Sequence, residues 1–391
     1  MDSIEKPKIE VADIFNQFGH LMDPLSKEQY KVVQDIKNCR TKVLGGHSLE
    51  CSECNFTKNE YNSCRNRHCP KCQYLSRIKW IEKRKEDLLL CQYFHVVFTI
   101  PDDLNPLILQ NKEVCYNILF KASSKTLKEV AANPKNLGAE IGFFGILHTW
   151  AQNLIDHPHI HFIVPGGGFG KKDEWISCKK DYLLPVQILS VVFRGKFLNY
   201  LELAYKENKL KFLGQVEHLK EANNFKKLLA ITTKHDWVVY AKEPFAGPEQ
   251  VINYLGQYTH RIAISNYRLE KIEDGKVSFK CRDNSDKNKK KIVTLDGTEF
   301  IRRFLLHVLP KRFVKIRHFG FLGNRLRKEK LPLYRKLHNI AEKVTAELDE
   351  LKIDWKENFK ALSGIDLNIC PVCKKGIMIE KQLLPGVLNS S

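Results

Sequence analysis

The sequence predicts an α+β protein, and three observations indicate this fold class. Short runs rich in β-branched and aromatic residues, such as 93–101 (YFHVVFTIP) and 237–242 (WVVYAK), are typical of strands. Stretches with helical spacing of apolar residues occupy 1–40, 107–132 and 185–213. Asp274-Gly275 is a turn signal between two further strand-like runs. The chain of 391 residues is long enough for two or three such domains.

The charge of the chain indicates a polyanionic partner. Sixty-four Lys and Arg residues against 45 Asp and Glu residues give a formal net charge of +19. Such an excess suits nucleic acid or an acidic membrane surface. We favour nucleic acid, because no apolar run approaches the roughly 18 residues of a membrane span. The start of the sequence has no signal-peptide core, so we expect a cytoplasmic protein without a membrane partner.

The stretch 157–168 (HPHIHFIVPGGG) contains the residues on which the functional prediction depends. Its apolar part predicts a strand, on which His159 and His161 project from the same face. Two adjacent imidazoles can bind one metal ion, although solvated histidines on an edge strand give the same pattern. His95, His148 and His157 are candidates for a third ligand. The three glycines after Pro165 are expected to let the backbone approach a bulky ligand.

The cysteines predict zinc in a reducing compartment. Seven of the twelve form two sequence clusters, and five are scattered. Two Cys-x2-Cys pairs joined by a loop of fourteen residues predict a tetrahedral zinc site. Cys64, His47 and His68 lie in or beside the loop, so a different ligand set or a second ion stays open. The predicted zinc ligands are Cys51, Cys54, Cys69 and Cys72, and Arg65 and Arg67 beside them are predicted to contact DNA phosphates.

A helix is predicted to begin at Pro248, which suits a first helical position. Tyr254 and Tyr258 would then lie one turn apart on one face, with Arg261, a predicted DNA contact, near them. A tyrosine pair at this spacing is usually packing. A phenolic hydroxyl is a poor nucleophile unless something draws electrons from its target, which a metal ion held by two histidines does.

The C-terminal part is basic and ends in a further cysteine pair. Over 309–320, cations alternate with aromatic residues, as on a surface that binds nucleic acid, and Arg312 and Arg317 are the predicted contacts. Cys370 and Cys373 form half a zinc site that needs ligands from elsewhere, or an inert pair.

Eight motifs occur in order along most of the chain, and together they resemble a known family. They are GGH, CRNRHCPKC, YFHVVFTIP, HPHIHFIVPGGG, PFAGPEQVINYLGQYTHRIAISN, FIRRFLLHVLP, IRHFGFLGN and CPVC. The sequence resembles the rolling-circle transposases of the insertion-sequence "ninety-one" family, which belong to the His-hydrophobic-His nucleases with two active-site tyrosines.

The resemblance implies a fold and a reaction. The fold is an antiparallel sheet with the histidine pair on a central strand and the tyrosine helix across it. His159 and His161 would bind Mg²⁺ or Mn²⁺, and Tyr254 and Tyr258 would attack single-stranded or locally melted DNA, leaving 5′-phosphotyrosine. Gln257 is a further candidate for the third ligand. We expect three domains: helical and zinc-binding over 1–90, catalytic over 91–270, and basic and DNA-binding over 271–391.

Two other classes of protein are weighed against this prediction. A metal-dependent hydrolase would use His-x-His to activate water and would need further ligands and a base. A zinc-finger protein without catalysis would explain the charge and the cysteines but would leave the histidine and tyrosine pairs without a role.

Overall fold

The computed structural model describes residues 7–22, 24–73, 80, 87–234, 236–245, 251, 262–283, 289–340, 357, 360 and 366–387. The helices of the described residues are α1 Val11–Phe18, α2 Lys27–Asn38, α3 Asn105–Gln110, α4 Lys112–Ala132, α5 Val186–Lys206, α6 Ala222–Thr233, α7 Gly297–Leu306 and α8 Arg327–Leu337. The strands are β1 Gly46–Cys51, β2 Thr57–Tyr61, β3 Tyr93–Thr99, β4 Phe143–Trp150, β5 Asp156–Pro165, β6 Gly167–Phe169, β7 Trp175–Ser177, β8 Val239–Phe245, β9 Leu269–Glu273, β10 Lys276–Asp283, β11 Lys289–Asp296, β12 Ile316–Phe319 and β13 Met378–Leu384.

These elements confirm the predicted α+β class, with helices, antiparallel sheets and cysteine clusters. The helical predictions for 1–40, 107–132 and 185–213 correspond to α1 to α5, although α5 ends at Lys206. The predicted hairpin joins β9 to β10, with Asp274 and Gly275 both at positive φ. Ser26 caps α2, because its hydroxyl accepts a hydrogen bond from the backbone N–H of Gln29.

The chain divides into two compact units that do not follow the linear order of the three predicted domains. The first consists of Met1–Glu86, His260–Val308 and Glu342–Ser391, and the second of Asp87–Thr259 and Leu309–Ala341. The C-terminal region is therefore divided rather than separate. Strand pairing is the reason: β13 pairs with β1 in the first unit, and β12 pairs with β4 in the second.

The second unit is built on an antiparallel sheet with the strand order β12-β4-β5-β3-β8. Along β5 the side chains alternate between two faces, and Ile160, Phe162 and Val164 enter the apolar core. Phe193 and Phe197 of α5 pack into the same core. The opposite face of β5 carries the histidines, so the apolar alternation fixes the face on which a site forms.

The three glycines after Pro165 make room for the protein itself rather than for a ligand. All three are buried. A Cβ on Gly167 would lie 2.6 Å from the ring of Trp175, and one on Gly168 would lie 2.5 Å from the carbonyl oxygen of Glu140. The expectation of a ligand cradle here is replaced by close packing of β6 against its neighbours.

The first unit contains two three-stranded sheets, in the orders β13-β1-β2 and β11-β10-β9. Its helices pack through aromatic side chains, with Phe15 of α1 against Phe304 of α7 at 5.4 Å between ring centroids. None of the helices within the described ranges has both the length and the apolar character needed to cross a membrane.

Asp156, the first residue of β5, gives the second unit a pH-dependent stability. It is buried, and neither carboxylate oxygen has a hydrogen-bond partner among the described residues. Burial raises the pKa of this carboxyl to about 7, while the charge of Lys112 partly opposes the change. The folded state therefore keeps a proton that the unfolded state loses near pH 4, and stability falls as the pH rises from about 4 to about 7.

We expect Asp156→Asn to remove this dependence, because the amide stays neutral. The free energy of unfolding of the variant, relative to that of the wild type, should rise by about 3 kcal/mol between pH 5 and pH 8. Urea unfolding at the two pH values measures it. The exposed Asp236→Asn should show no such trend, and a gain that does not change with pH would contradict the assignment to this carboxyl.

Candidate functional site

Strands β4 and β5 bring three histidines together on one face of the sheet. His148 lies directly opposite His159 in the strand register, and His161 follows two residues later on the same face. The ring centroids of His148 and His161 lie 4.5 Å apart, and those of His159 and His161 lie 4.7 Å apart. One ring nitrogen from each of the three lies within 4.8 Å of the others.

Hydrogen bonds fix the orientation of two of these rings. The Nδ1–H of His159 donates to the backbone carbonyl of His157 at 2.6 Å, which leaves Nε2 as the ligand atom. The Nδ1 of His161 lies 2.7 Å from Nε2 of His95, and the two rings stack. Such contacts hold metal-binding histidines in place.

The donor set of this cluster fits a divalent transition-metal ion. Three imidazole nitrogens on adjacent strands can occupy three positions of a small ion and leave others open. Imidazole suits zinc, copper, iron and nickel, whereas Mg²⁺ and Mn²⁺ are more often bound through oxygen. Of the two predicted ions, Mn²⁺, as a transition-metal ion, accepts imidazole ligands more readily than Mg²⁺.

Of the three histidine candidates for a third ligand, the structure places His148 in the cluster. His95 contacts His161 through its ring nitrogen. His157 lies outside the group, with its Nδ1 at 3.7 Å from a carboxylate oxygen of Asp102. A signal in the sequence could have identified His148. Only one short turn separates its strand β4 from β5, so the two strands could have been predicted to pair and to bring His148 beside the His-x-His motif.

The predicted zinc ligands divide between two clusters instead of forming one. Cys69 and Cys72 join Cys39 and Cys64, while Cys51 and Cys54 join Cys370 and Cys373. Within each cluster the four sulfurs lie within 4.8 Å of one another. The reason is the β1–β2 hairpin, which contains the first pair and separates it from the second. Cys39 was missed because it follows α2 as a single cysteine, with no second thiol at ligand spacing.

Each cluster is surrounded by donors that favour thiolates. The backbone N–H groups of Cys64 and Asn66 point at the sulfurs of Cys39 and Cys64, at 3.5 Å each. Hydrogen bonds from the backbone N–H groups of Gly376 and Lys375 lower the pKa of Cys373 to about 6. Thiolate is the form that binds zinc, so both clusters fit Zn²⁺.

Comparison with known proteins identifies the family. A model described as "Putative transposase" matches residues 142–330, and one described as "Transposase zinc-binding domain" matches residues 11–100. The "Transposase for insertion sequence element IS801" of Pseudomonas savastanoi pv. phaseolicola is 27% identical over 362 residues, 91% of this chain and 85% of the relative. The "Putative transposase y4qJ" of Sinorhizobium fredii is 48% identical over 383 residues, 97% of this chain and 96% of the relative. The chain belongs to the insertion-sequence ninety-one family of transposases. No solved structure matches it.

The nucleophiles expected of this transposase are not part of the site described above. Tyr254, Tyr258 and Arg261, together with Gln257, lie outside the described residues. Val251 precedes them and is buried. Their roles therefore stay predictions from the sequence.

The remaining DNA-binding predictions fall on arginines in different settings. Arg65 and Arg312 are exposed, and both are at positive φ. Arg67 is half-buried, and burial lowers the pKa of its guanidinium. Arg317 stacks on Phe120, 4.2 Å from the ring centroid, and donates a hydrogen bond of 2.6 Å to Asn117. This packing holds Arg317 at the edge of the sheet, whereas Arg65 and Arg312 are exposed; contact of these arginines with phosphates stays a prediction from the sequence.

Proposed function

We propose that this transposase cleaves and rejoins single-stranded DNA at the ends of an insertion sequence, for rolling-circle transposition. The observation that carries the proposal is the cluster of His148, His159 and His161 in a chain that belongs to a transposase family. Tyr254 and Tyr258, which the sequence predicts to lie one helical turn apart, would supply two nucleophiles without a cofactor.

The histidines provide a fixed site for a divalent ion, for which we propose Mn²⁺ or Mg²⁺. The carbonyl of His157 and the ring of His95 orient His159 and His161. Because these contacts set the rings before DNA binds, no free energy is spent on ordering them during the reaction. When bound, the ion supplies a positive charge that draws electrons from a non-bridging phosphoryl oxygen and orients the phosphate.

The tyrosines carry out the covalent step. The phenolic oxygen of Tyr254 or Tyr258 attacks the phosphorus in line, and the bond between phosphorus and the 3′ oxygen breaks. The tyrosine proton is lost, the 3′ oxygen gains a proton, and the 5′ phosphate remains on the tyrosine. A 3′-OH of another strand then attacks this phosphotyrosine and releases the enzyme. The bond energy is conserved, so rejoining needs no ATP, and two tyrosines allow donor and target strands to be held in turn.

An aromatic side chain beside the histidines supports a single-stranded substrate. The ring of Trp150 stacks on His148 at 4.7 Å between centroids and is partly exposed. The ammonium of Lys315 lies 5.9 Å from the centre of the Trp150 ring. An aromatic face next to a cation is the arrangement on which unpaired bases stack while the backbone is held by charge.

The test is the formation of a covalent protein–DNA adduct. Purified protein is incubated with Mn²⁺ and labelled single-stranded oligonucleotides that span the ends of its element, and the products are separated on denaturing gels. We expect the wild type to form an adduct and the Tyr254→Phe/Tyr258→Phe double variant to form none. Tyr182→Phe, which removes an exposed hydroxyl in the same unit, is the matched control and should form it normally.

The same gels separate the alternatives. A three-histidine set is also the ligand set of zinc enzymes that activate water, and this favours a metal-dependent hydrolase as the second candidate. Cleavage that persists in the double tyrosine variant, without any adduct, would replace the tyrosine mechanism with that reaction. Binding without cleavage in the wild type would support a DNA-binding protein that has no catalytic role.

A further inference from the structure

The cluster of Cys51, Cys54, Cys370 and Cys373 joins two distant parts of the sequence. The sulfurs of Cys51 and Cys373 lie 3.6 Å apart, and those of Cys54 and Cys370 lie 3.7 Å apart. Cys54 and Cys370 are separated by 316 residues along the chain. The residues that match the zinc-binding domain model, 11–100, contain only half of this set.

The backbone around these cysteines is built to bring the two halves together. β13 pairs with β1, with Cys51 opposite Met378 in the register. Just beyond the pairing, the N–H of Ser52 donates to the carbonyl of Ile377 at 3.0 Å, and the N–H of Ile377 donates to the hydroxyl of Ser52 at 3.0 Å. A Cβ on Gly376 would lie 2.4 Å from the sulfur of Cys51, so only glycine permits this approach.

Backbone donors converge on the sulfurs from both halves of the cluster. The N–H of Glu53 points at the sulfur of Cys51 at 3.4 Å, and the N–H of Val372 points at that of Cys370 at 3.4 Å. The N–H of Gly376 points at the sulfur of Cys373 at 3.3 Å. Such turns present thiolates to a metal and partly neutralise their charge.

We propose that Cys51, Cys54, Cys370 and Cys373 hold a second zinc ion, which fastens the C-terminal segment 366–387 to the N-terminal hairpin. We call residues 46–61 and 366–387 together the terminal ribbon. The zinc ion joins its two parts, because each part supplies two of the four cysteine ligands. The C-terminal Cys-x2-Cys is therefore a ligand pair and not a loose tail. Folding of β13 onto β1 is coupled to metal binding.

Charge distinguishes the terminal ribbon from the other cysteine cluster. Residues 39–45 and 62–73, around Cys39, Cys64, Cys69 and Cys72, contain five Lys or Arg and no Asp or Glu. Lys71 among them is paired with Glu10. The terminal ribbon contains four Lys against five Asp or Glu. A polyanion is attracted by the excess of Lys and Arg around Cys39, Cys64, Cys69 and Cys72 and not by the balanced charge of the terminal ribbon. The zinc site of Cys39, Cys64, Cys69 and Cys72, called the first zinc site below, therefore serves DNA binding. The zinc ion of the terminal ribbon stabilises the fold.

The test counts zinc in the full-length chain by native mass spectrometry. The His159→Ala/His161→Ala background is used so that the histidine cluster adds no zinc, which also makes the count independent of the proposed reaction. We expect two zinc ions per chain in this background and one after Cys370→Ser/Cys373→Ser. Cys178→Ser, a single half-buried cysteine outside both clusters, should keep two.

A second variant protects the result against misfolding. Cys373→His replaces one thiolate by an imidazole, and Cys3His is a common zinc set, so this variant should keep two zinc ions while Cys373→Ala loses one. Alkylation with iodoacetamide should spare Cys370 and Cys373 until a chelator is added. The proposal would be overturned if the His159→Ala/His161→Ala protein held only one zinc ion. It would also be overturned if that protein kept two zinc ions after Cys370→Ser/Cys373→Ser.

Discussion

Replacing His159 by alanine is expected to reduce the rate of DNA strand cleavage by about 10³-fold or more. The change removes one of three imidazoles whose ring nitrogens lie within 4.8 Å of one another. Losing the charge that a bound ion places beside the phosphate costs several kcal/mol of transition-state stabilisation, and about 4 kcal/mol corresponds to 10³ in rate. Single-turnover cleavage of a labelled oligonucleotide at saturating protein measures this rate.

His157→Ala is the matched control for His159→Ala. His157 is two residues away on the same strand, and its side chain lies outside the cluster, beside Asp102. Its contribution to the site is a backbone carbonyl, which alanine retains. We expect His157→Ala to cleave within about threefold of the wild type and His148→Ala to resemble His159→Ala. Equal losses in His157→Ala and His159→Ala would show that the strand, and not a metal site, was damaged.

Removing the first zinc site should have the largest effect on stability. In the Cys39→Ser/Cys64→Ser double variant, two of four clustered thiolates are replaced by hydroxyls, which are weak zinc ligands. The free energy of metal binding in such sites is also free energy of folding, so we expect a loss of roughly 3–5 kcal/mol. Thermal unfolding followed by circular dichroism should show a lower midpoint, together with one zinc ion fewer.

The same variant should bind single-stranded DNA less well. Arg40, Arg65 and Arg67 flank the cysteines of this cluster in the sequence, so we expect their positions to depend on it. We expect binding to fall about tenfold at low salt and the salt dependence of binding to weaken, because fewer phosphates are neutralised. Cys178→Ser should change neither quantity. Unchanged DNA binding in a variant that has lost this zinc would mean that the cluster has no role in DNA contact.

The strands and helices themselves were largely predictable from local pattern. Period-two alternation around Ile160, Phe162 and Val164 predicts a strand with His159 and His161 on the other face, and the structure has this arrangement in β5. The Asp274-Gly275 turn involves only a few residues, so its sequence signal is strong. The end of α5 was placed too late, since apolar residues continue past Lys206 into the following segment.

The partners of the cysteines were beyond local pattern. Cys39 reaches Cys64, Cys69 and Cys72 only because the chain folds back after α2. Cys51 and Cys54 meet Cys370 and Cys373 only because β13 pairs with β1. The spacing within each Cys-x2-Cys pair is set by a single turn of backbone. The pairing of Cys51 and Cys54 with Cys370 and Cys373 is set by strands that are more than 300 residues apart in the sequence.

By itself, the sequence determined the class of the protein, the positive charge that suits DNA, the histidine and cysteine pairs and the family resemblance. These properties depend on residue identity and on spacing within one strand, turn or helix. Tertiary structure decided which pairs combine: His148 with His159 and His161, and two cysteine clusters in place of one. It also assigned Arg317 to packing against Phe120. Contacts between residues far apart in sequence are fixed by burial and strand register, which a single sequence does not encode in any local pattern.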